Sequence, residues 1–300
     1  MVAAARRASA WVLAAALLAA SCASSEPAPA AGTPRPLVVD VWWSRGYQGK
    51  LLHRALWVSS GDPSNPDWQQ FPLDVDEDVE GPLAPLSALA AAEKAARAEL
   101  ADAACDRVTG ACAAELTERR VDADRLRRSH SVVADRLLQR AVILDRRAID
   151  LGIIDLVTGA RTPLPLTMTT DYSRATWSRD GRRLAIAHQR RTDGDTAGAQ
   201  LFVIAAETGE HLYAGEVAGF VYDMAWSSDG ARLAIMSLES RTGDSGFIER
   251  FYANLGHGRP YSDIVVQLVD VDSGLASEQE LAHDLPETEV SLVWDPCEAP

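Results

Sequence analysis

Apolar positions in the second half of the chain fall in short two-sided runs rather than in helical stripes. Leu184-Ala-Ile-Ala187 and Leu233-Ala-Ile-Met236 are apolar at successive positions, the pattern of strands covered on both faces. Asp180-Gly181 and Asp229-Gly230 stand just before them. Glycine is free to take φ > 0 and aspartate can accept from its own turn amides, so each dipeptide predicts a tight hairpin turn. Three further runs, Leu151 to Thr158-Gly159, Leu201 to Thr208-Gly209 and Val266 to Ser273-Gly274, are β-rich and close on a small polar residue plus glycine. Each reads as a strand followed by a turn. The pattern changes upstream. Ser87 to Ala104 has Leu89, Ala92, Ala96, Leu100 and Ala103 at helical spacing, and Val121 to Leu138 has Leu126, Val133 and Leu137 on one helical face. With Pro82 and Pro85 before them, these predict two or three antiparallel helices.

The β-rich half repeats itself. Ala175-Thr-Trp-Ser-Arg-Asp-Gly-Arg-Arg-Leu-Ala-Ile-Ala187 aligns in register with Met224-Ala-Trp-Ser-Ser-Asp-Gly-Ala-Arg-Leu-Ala-Ile-Met236, and Trp226 follows Trp177 by 49 residues. A cut-short third copy ends in Trp294-Asp-Pro296. The order is strand with Trp, Asp-Gly turn, Leu-Ala-Ile strand, strand ending Thr/Ser-Gly, then a fourth strand. A four-stranded unit cannot bury both faces alone, so such units stack around an axis, with Trp177 and Trp226 as apolar wedges between neighbours. Trp177, Ser178, Asp180, Gly181, Trp226, Ser227, Asp229, Gly230 and Trp294 are thus read as repeat-structural residues.

The Trp-Ser-x-Asp-Gly-x-x-Leu-Ala-Ile motif resembles the WD40-like β-propeller repeat of the TolB type, found also in the propellers of prolyl-oligopeptidase relatives. Arg179 and Ser228 stand where that family often has Pro. The resemblance covers residues 149 to 296. The expected fold is mainly β, a propeller-like array of about four to five four-stranded blades, open or closed, with an α-helical insertion. Residues 37–83 are read as a β segment contributing to the first or last blade, 84–140 as the helical insertion and 141–300 as the repeats. Trp43-Ser-Arg-Gly46 loosely echoes the repeat, and the segment from Val290 to Asp295 is a candidate partner for these N-terminal strands. The resemblance implies partner binding, without naming the partner. On this reading no counterpart of the hydrolase domain that follows the propeller in the peptidase relatives is expected.

Residues 1–21 add an address. Arg6 and Arg7 precede the apolar run Trp11 to Ala20, which is too short to span a bilayer and suits a secretory signal. Ala19-Ala20-Ser21-Cys22 resembles a bacterial lipobox, with Leu18 one place early and Cys22 as the lipidated residue. Ordinary cleavage leaving Cys22 a plain thiol is the other reading. Residues 22–36, rich in Pro, Ala and Ser, are read as a flexible tether from the membrane. The expected location is a membrane anchor facing the periplasm or the cell exterior. A net charge of −14 excludes a generally basic nucleic-acid-binding face. The expected partners are another envelope protein and, through the lipid, the membrane.

Chemistry-bearing clusters are few. Cys105 and Cys112 are the candidate disulfide; on one continuous helix they stand ~10 Å apart in rise, so the bridge requires a helix break near Gly110. Asp74, Asp76, Asp78 and Glu80 alternate like the start of a calcium loop, but Val79 stands where an EF-hand has Gly and Pro85 where it has the bidentate acid. They are the weak candidate cation ligands beside the reading of a solvated acidic loop. Arg250, Phe251, Tyr252, His257, Arg259 and Tyr261 lie in a long segment after a repeat strand and are the candidate interface. The six histidines show no ligand spacing and no nucleophile elbow is present. No catalytic residue and no cofactor are assigned. The reading is a lipid-anchored, non-enzymatic binding or assembly module of the cell envelope. The alternative is a glycan-active hydrolase, or a sensor of small ligands or cations using propeller rim loops.

Overall fold

A computed structural model describes residues 37–45, 51–59, 67–73, 84–129, 131–144, 152–164, 166, 173–191, 196–240, 262–285 and 288–294. These residues form four four-stranded antiparallel sheets and three helices. The first sheet runs β16 (Thr288–Trp294), β1 (Leu37–Arg45), β2 (Leu51–Ser59), β3 (Trp68–Leu73). The second holds β4 (Val132–Ala134), β5 (Arg140–Ile143), β6 (Gly152–Asp155) and β7 (Arg161–Pro163). The third holds β8 (Ser173–Trp177), β9 (Arg183–Arg191), β10 (Thr196–Ala205) and β11 (His211–Val217); the fourth, β12 (Phe220–Trp226), β13 (Arg232–Ser240), β14 (Ser262–Asp270) and β15 (Ala276–Leu285). The fold is β-propeller-like, with four blades among the described residues.

Registers tie three blades to one pattern. Trp177 pairs with Leu184 and Trp226 with Leu233. Leu37 pairs with Trp294 in the same way. The two ends of the described chain therefore complete the first sheet, with β16 from the C-terminal side and β1 to β3 from the N-terminal side.

Apolar clusters join the sheets in sequence. Trp177 packs with Val142, Ile153, Leu184 and Ile204 between the second and third sheets. Trp226 packs with Leu201, Val203, Leu233 and Ile235 between the third and fourth. Trp294 packs with Met236, Val266, Val39 and Trp57 between the fourth and first. Large aromatic area buried against β-branched and aliphatic side chains is the main stabilising term at each junction.

The gap between the first and second sheets is filled differently. Helix α1 (Ala84–Ala111) touches β1, β16 and β4, so it reaches both sheets. With α2 (Ala113–Glu118) and α3 (Ala123–Ser129) it covers the second sheet through Cys105, Val108, Cys112, Leu116 and Leu126, packed on Val132, Ala134, Ala141 and Ile154. Helices stand where the other junctions have a sheet.

Two expectations need correction here. Helix was expected through Leu138, but α3 ends at Ser129, Val132–Ala134 is a strand and Leu137 is exposed in a turn. The 105–112 bridge is not formed, and both thiols are free and buried. Gly110 does not break α1. The helix runs through it, and the Cys112 amide donates to the Val108 carbonyl at 2.9 Å. Cys105, Val108 and Cys112 recur at helical spacing on the face packed against the second sheet, and that burial outweighs the ~1 kcal/mol helix cost of a glycine. Burial also pushes the Cys105 thiol pKa up, against the nearby Arg127 guanidinium.

Candidate functional site

The second, third and fourth blades each have two turns at the same end of the sheet, one between the first and second strands and one between the third and fourth. In the third blade the Ser178 hydroxyl donates to Asp180 Oδ1 at 2.7 Å, the same oxygen accepts from the Arg182 amide at 3.0 Å, and the Arg183 amide donates to Ser178 Oγ at 2.9 Å. The fourth blade repeats this through Ser227, Asp229, Ala231 and Arg232 at 2.6, 3.0 and 2.9 Å. Gly181 and Gly230 close the turns at φ 67° and 68°. The connections are five residues long (178–182 and 227–231), wider than the tight hairpins the dipeptides suggested. Burial pushes both aspartate pKa values up. Hydrogen bonds from the serine and from the turn amide, together with the neighbouring arginine charge, outweigh it and leave both carboxyls below the ordinary range.

The second blade builds the same turn from other residues. The Asp135 amide donates to the Arg140 carbonyl at 3.0 Å, as Ser178 does to Arg183 at 2.8 Å. Asp135 Oδ1 accepts from the Gln139 and Arg140 amides. Leu138 takes the glycine position at φ 51°.

An arginine at one repeat position links the second, third and fourth blades each to the next. Arg140 donates to the Gly181 carbonyl at 3.3 Å and faces Glu207. Arg183 donates to the Gly230 carbonyl at 3.1 Å and to Asp272 at 2.9 Å. Arg232 instead lies over the Trp294 ring, 5.4 Å from its centroid. The tryptophans add a backward link. Trp177 Nε1 donates to the Val133 carbonyl at 3.0 Å and Trp226 Nε1 to the Thr176 carbonyl at 3.1 Å. Trp294 Nε1 has no hydrogen-bond partner among the described residues.

The polar cluster nearest the first strands of the blades centres on Asp223, on β12 beside a bulge. Its Oδ1 accepts from the Met224 amide at 2.8 Å and its Oδ2 from the Leu292 amide at 3.0 Å. Arg97 of α1 completes the group, with Nη1 on Asp223 Oδ1 at 3.3 Å and Nη2 on the Leu292 carbonyl at 3.4 Å. Helix, fourth blade and first blade meet at this ion pair. A buried His188 ring sits 3.1 Å from the Ser173 hydroxyl in the third blade. Among the described residues, no three His, Cys, Asp or Glu side chains gather as a metal site, and no helix is long and apolar enough to cross a membrane.

The repeat residues from Trp177 to Gly181 and Trp226 to Gly230 come together at one rim, and Trp294 ends the equivalent strand of the first sheet. Cys22, the acidic run of Asp74, Asp76, Asp78 and Glu80, and the candidate interface of Arg250, Phe251, Tyr252, His257, Arg259 and Tyr261 lie outside the described residues. Sequence reasoning missed Arg97, Asp223 and the arginine relay. Arg183 and Arg232 do align in the repeat, so two of the three relay arginines were available as a signal. Asp223 and Arg97 carry no motif, because their meeting depends on where a helix inserted elsewhere in the chain lands.

No family model matches the chain, and no curated protein matches it. Among solved structures it is similar to hydrazine synthase of Kuenenia stuttgartiensis, at 13% identity and a TM-score of 0.36 over 50% of this chain and 41% of that one. It is similar to the acylaminoacyl peptidase of Pyrococcus horikoshii, at 12% identity and 0.32 over 83% of this chain and 31% of that one. It is similar also to a putative TolB from Agrobacterium tumefaciens, at 10% identity and 0.29 over 88% and 99%. The chain spans less than half the length of the first two. The propeller-like description stands on the four sheets and their registers.

Proposed function

We propose that the chain is an exported, lipid-anchored propeller that works by binding another protein of the cell envelope. Residues 1–36 supply the address, with Cys22 as the lipid-bearing residue. The observation that carries the binding role is the use of Asp223. Its Oδ2 accepts from the Leu292 amide and so joins the fourth blade to the first, while its Oδ1 accepts from its own neighbour Met224 and from Arg97, which ties the helices to the same point. Asp223 is thereby engaged in joining parts of the scaffold, whereas a general acid or base needs a carboxyl free to exchange protons with substrate. A rigid scaffold carrying long connecting segments suits a docking platform.

The test is capture from detergent-solubilised membranes of the native cell with the full chain as bait, followed by identification of the retained protein. The triple variant Phe251→Ala, Tyr252→Ala, Tyr261→Ala is the comparison bait. A retained protein lost with the triple variant supports the reading. No difference between the two baits removes that segment as the docking surface. Labelling with palmitate, wild type against Cys22→Ala, tests the anchor: label on the wild type alone supports it.

A further inference from the structure

We infer that the turn rim of the propeller rests on a lipid surface. The inference rests on the lipid-anchored reading and adds which face of the molecule meets the bilayer. Leu37, the first described residue, pairs with Trp294 at the end of β16. By register this is the position of Leu184 opposite Trp177 and of Leu233 opposite Trp226. The chain therefore leaves the first sheet at the rim that carries the Asp-Gly turns. Cys22 lies 15 residues upstream of Leu37, a reach of at most ~50 Å. A nine-residue strand such as β13 is about 30 Å long. Turning the far rim toward the lipid would consume more than half of that reach.

The side chains at this rim suit such a contact. The large apolar residues exposed among the described residues are Leu137 at 67%, Val157 at 78%, Leu212 at 41% and Leu275 at 49%. Leu137 lies in the first turn of the second blade, and Val157 in its second turn, held open by the Asp155 carboxylate, which accepts from the Val157 and Thr158 amides at 2.9 and 2.7 Å. Leu275 closes the equivalent turn of the fourth blade, and Leu212 follows that of the third. Aliphatic tips set on rigid turns, at the face the anchor holds to the membrane, can enter the apolar edge of a leaflet. With a net charge of −14, the chain is not drawn to an anionic surface by electrostatics, so the contact depends on the anchor and these tips. The opposite rim then faces away from the lipid and is left for the protein partner.

The experiment uses the full chain purified from membranes and reconstituted in vesicles of phosphatidylethanolamine and phosphatidylglycerol. Val157→Trp places a probe on the turn rim, and Ala218→Trp places one on the exposed turn between β11 and β12 at the opposite rim. Quenching by lipids brominated along one acyl chain is read against the wild type, and palmitate label on each protein is measured in parallel. The expected result is a labelled protein with a larger loss of emission at position 157 than at 218. A labelled protein with equal loss at both positions overturns the inference and leaves the anchor standing. An unlabelled wild type overturns the anchored reading and this inference with it. Shielding at position 157 that appears only when a second protein is added assigns the rim to a protein instead and also overturns the inference.

Discussion

The third and fourth blades and the second blade solve one problem with different residues. All three close their first turn with the same pair of backbone hydrogen bonds, and all three place an arginine where the second strand begins. The third and fourth use Ser, Asp and Gly; the second uses Asp135 and a leucine at φ 51°. The tryptophan wedge divides them too. Trp177 and Trp226 point back at a preceding sheet, whereas the equivalent Ala134 points at helices, where Ala104, Cys105 and Val108 already fill the space. A wedge is needed only where two sheets face each other. The geometry of the blade is thus more constant than its residues, because several side chains can present an oxygen to the same amide, and the neighbour dictates the size of the wedge.

Loss of a tryptophan wedge should destabilise the blades most. Trp226→Ala should cost about 3–5 kcal/mol, as loss of a large buried aromatic does, measured by denaturant unfolding. Trp226→Phe should cost about 1 kcal/mol more than Trp294→Phe, because the Trp226 indole donates to Thr176 and the Trp294 indole has no hydrogen-bond partner among the described residues. Equal costs for the two Phe variants would deny the backward link. Next in size is the meeting point of helix and blades. Asp223→Ala leaves the Leu292 amide without its acceptor and should cost about 2 kcal/mol. Arg97→Ala removes a half-exposed ion pair and should cost under about 1 kcal/mol. An Arg97 effect larger than the Asp223 effect would place the helix, and not the strand amide, at the centre of that cluster.

These residues also show what could be read in advance. The Trp177 and Trp226 segments, the Asp-Gly turns and the Thr/Ser-Gly turns were legible because a positive φ selects glycine and a wedge selects tryptophan. Gly159, Gly209 and Gly274 sit at φ 72°, 73° and 70°. The second blade was hidden. Ala134, Asp135 and Leu138 replace Trp, Ser and Gly, and an arginine-rich run with apolar residues at 126, 133 and 137 shows a helical period that only its first part obeys. The cysteine pair misled for a related reason: spacing on a helix describes a packed stripe as well as a staple. For the candidate site, turn residues were visible and Arg97 with Asp223 was not, since long-range meetings leave no local pattern.

The turns themselves are tested by variants with effects no larger than that of Asp223→Ala. Gly181→Ala and Gly230→Ala both force alanine into the left-handed region and should each cost about 1–2 kcal/mol. Gly181→Ala should cost more, because its new methyl would stand 3.0 Å from the Asp135 carboxylate, whereas at Gly230 the nearest atom is 3.5 Å away. The smallest effect is titration. Asp180 and Asp229 have lowered pKa values in the folded chain, so the stability they contribute is full above the unfolded value of about 3.9 and is lost as pH falls through their lower folded values. The double variant Asp180→Asn, Asp229→Asn should therefore lose less melting temperature than wild type on acidification below pH ~4. Parallel acid profiles would contradict the turn hydrogen bonds as their cause.

The most direct test is of the closure that brings the two chain ends into one blade. Val39 pairs with Leu292 in the first sheet, and directly paired strand residues lie within the Cα distance a disulfide allows, about 4.4–6.8 Å. The variant Val39→Cys, Leu292→Cys should form an intramolecular bond on mild oxidation, mapped by peptide mass, while the offset pair Val39→Cys, Val293→Cys should form little. Efficient bonding of the offset pair, or none in either variant, would contradict the closed blade.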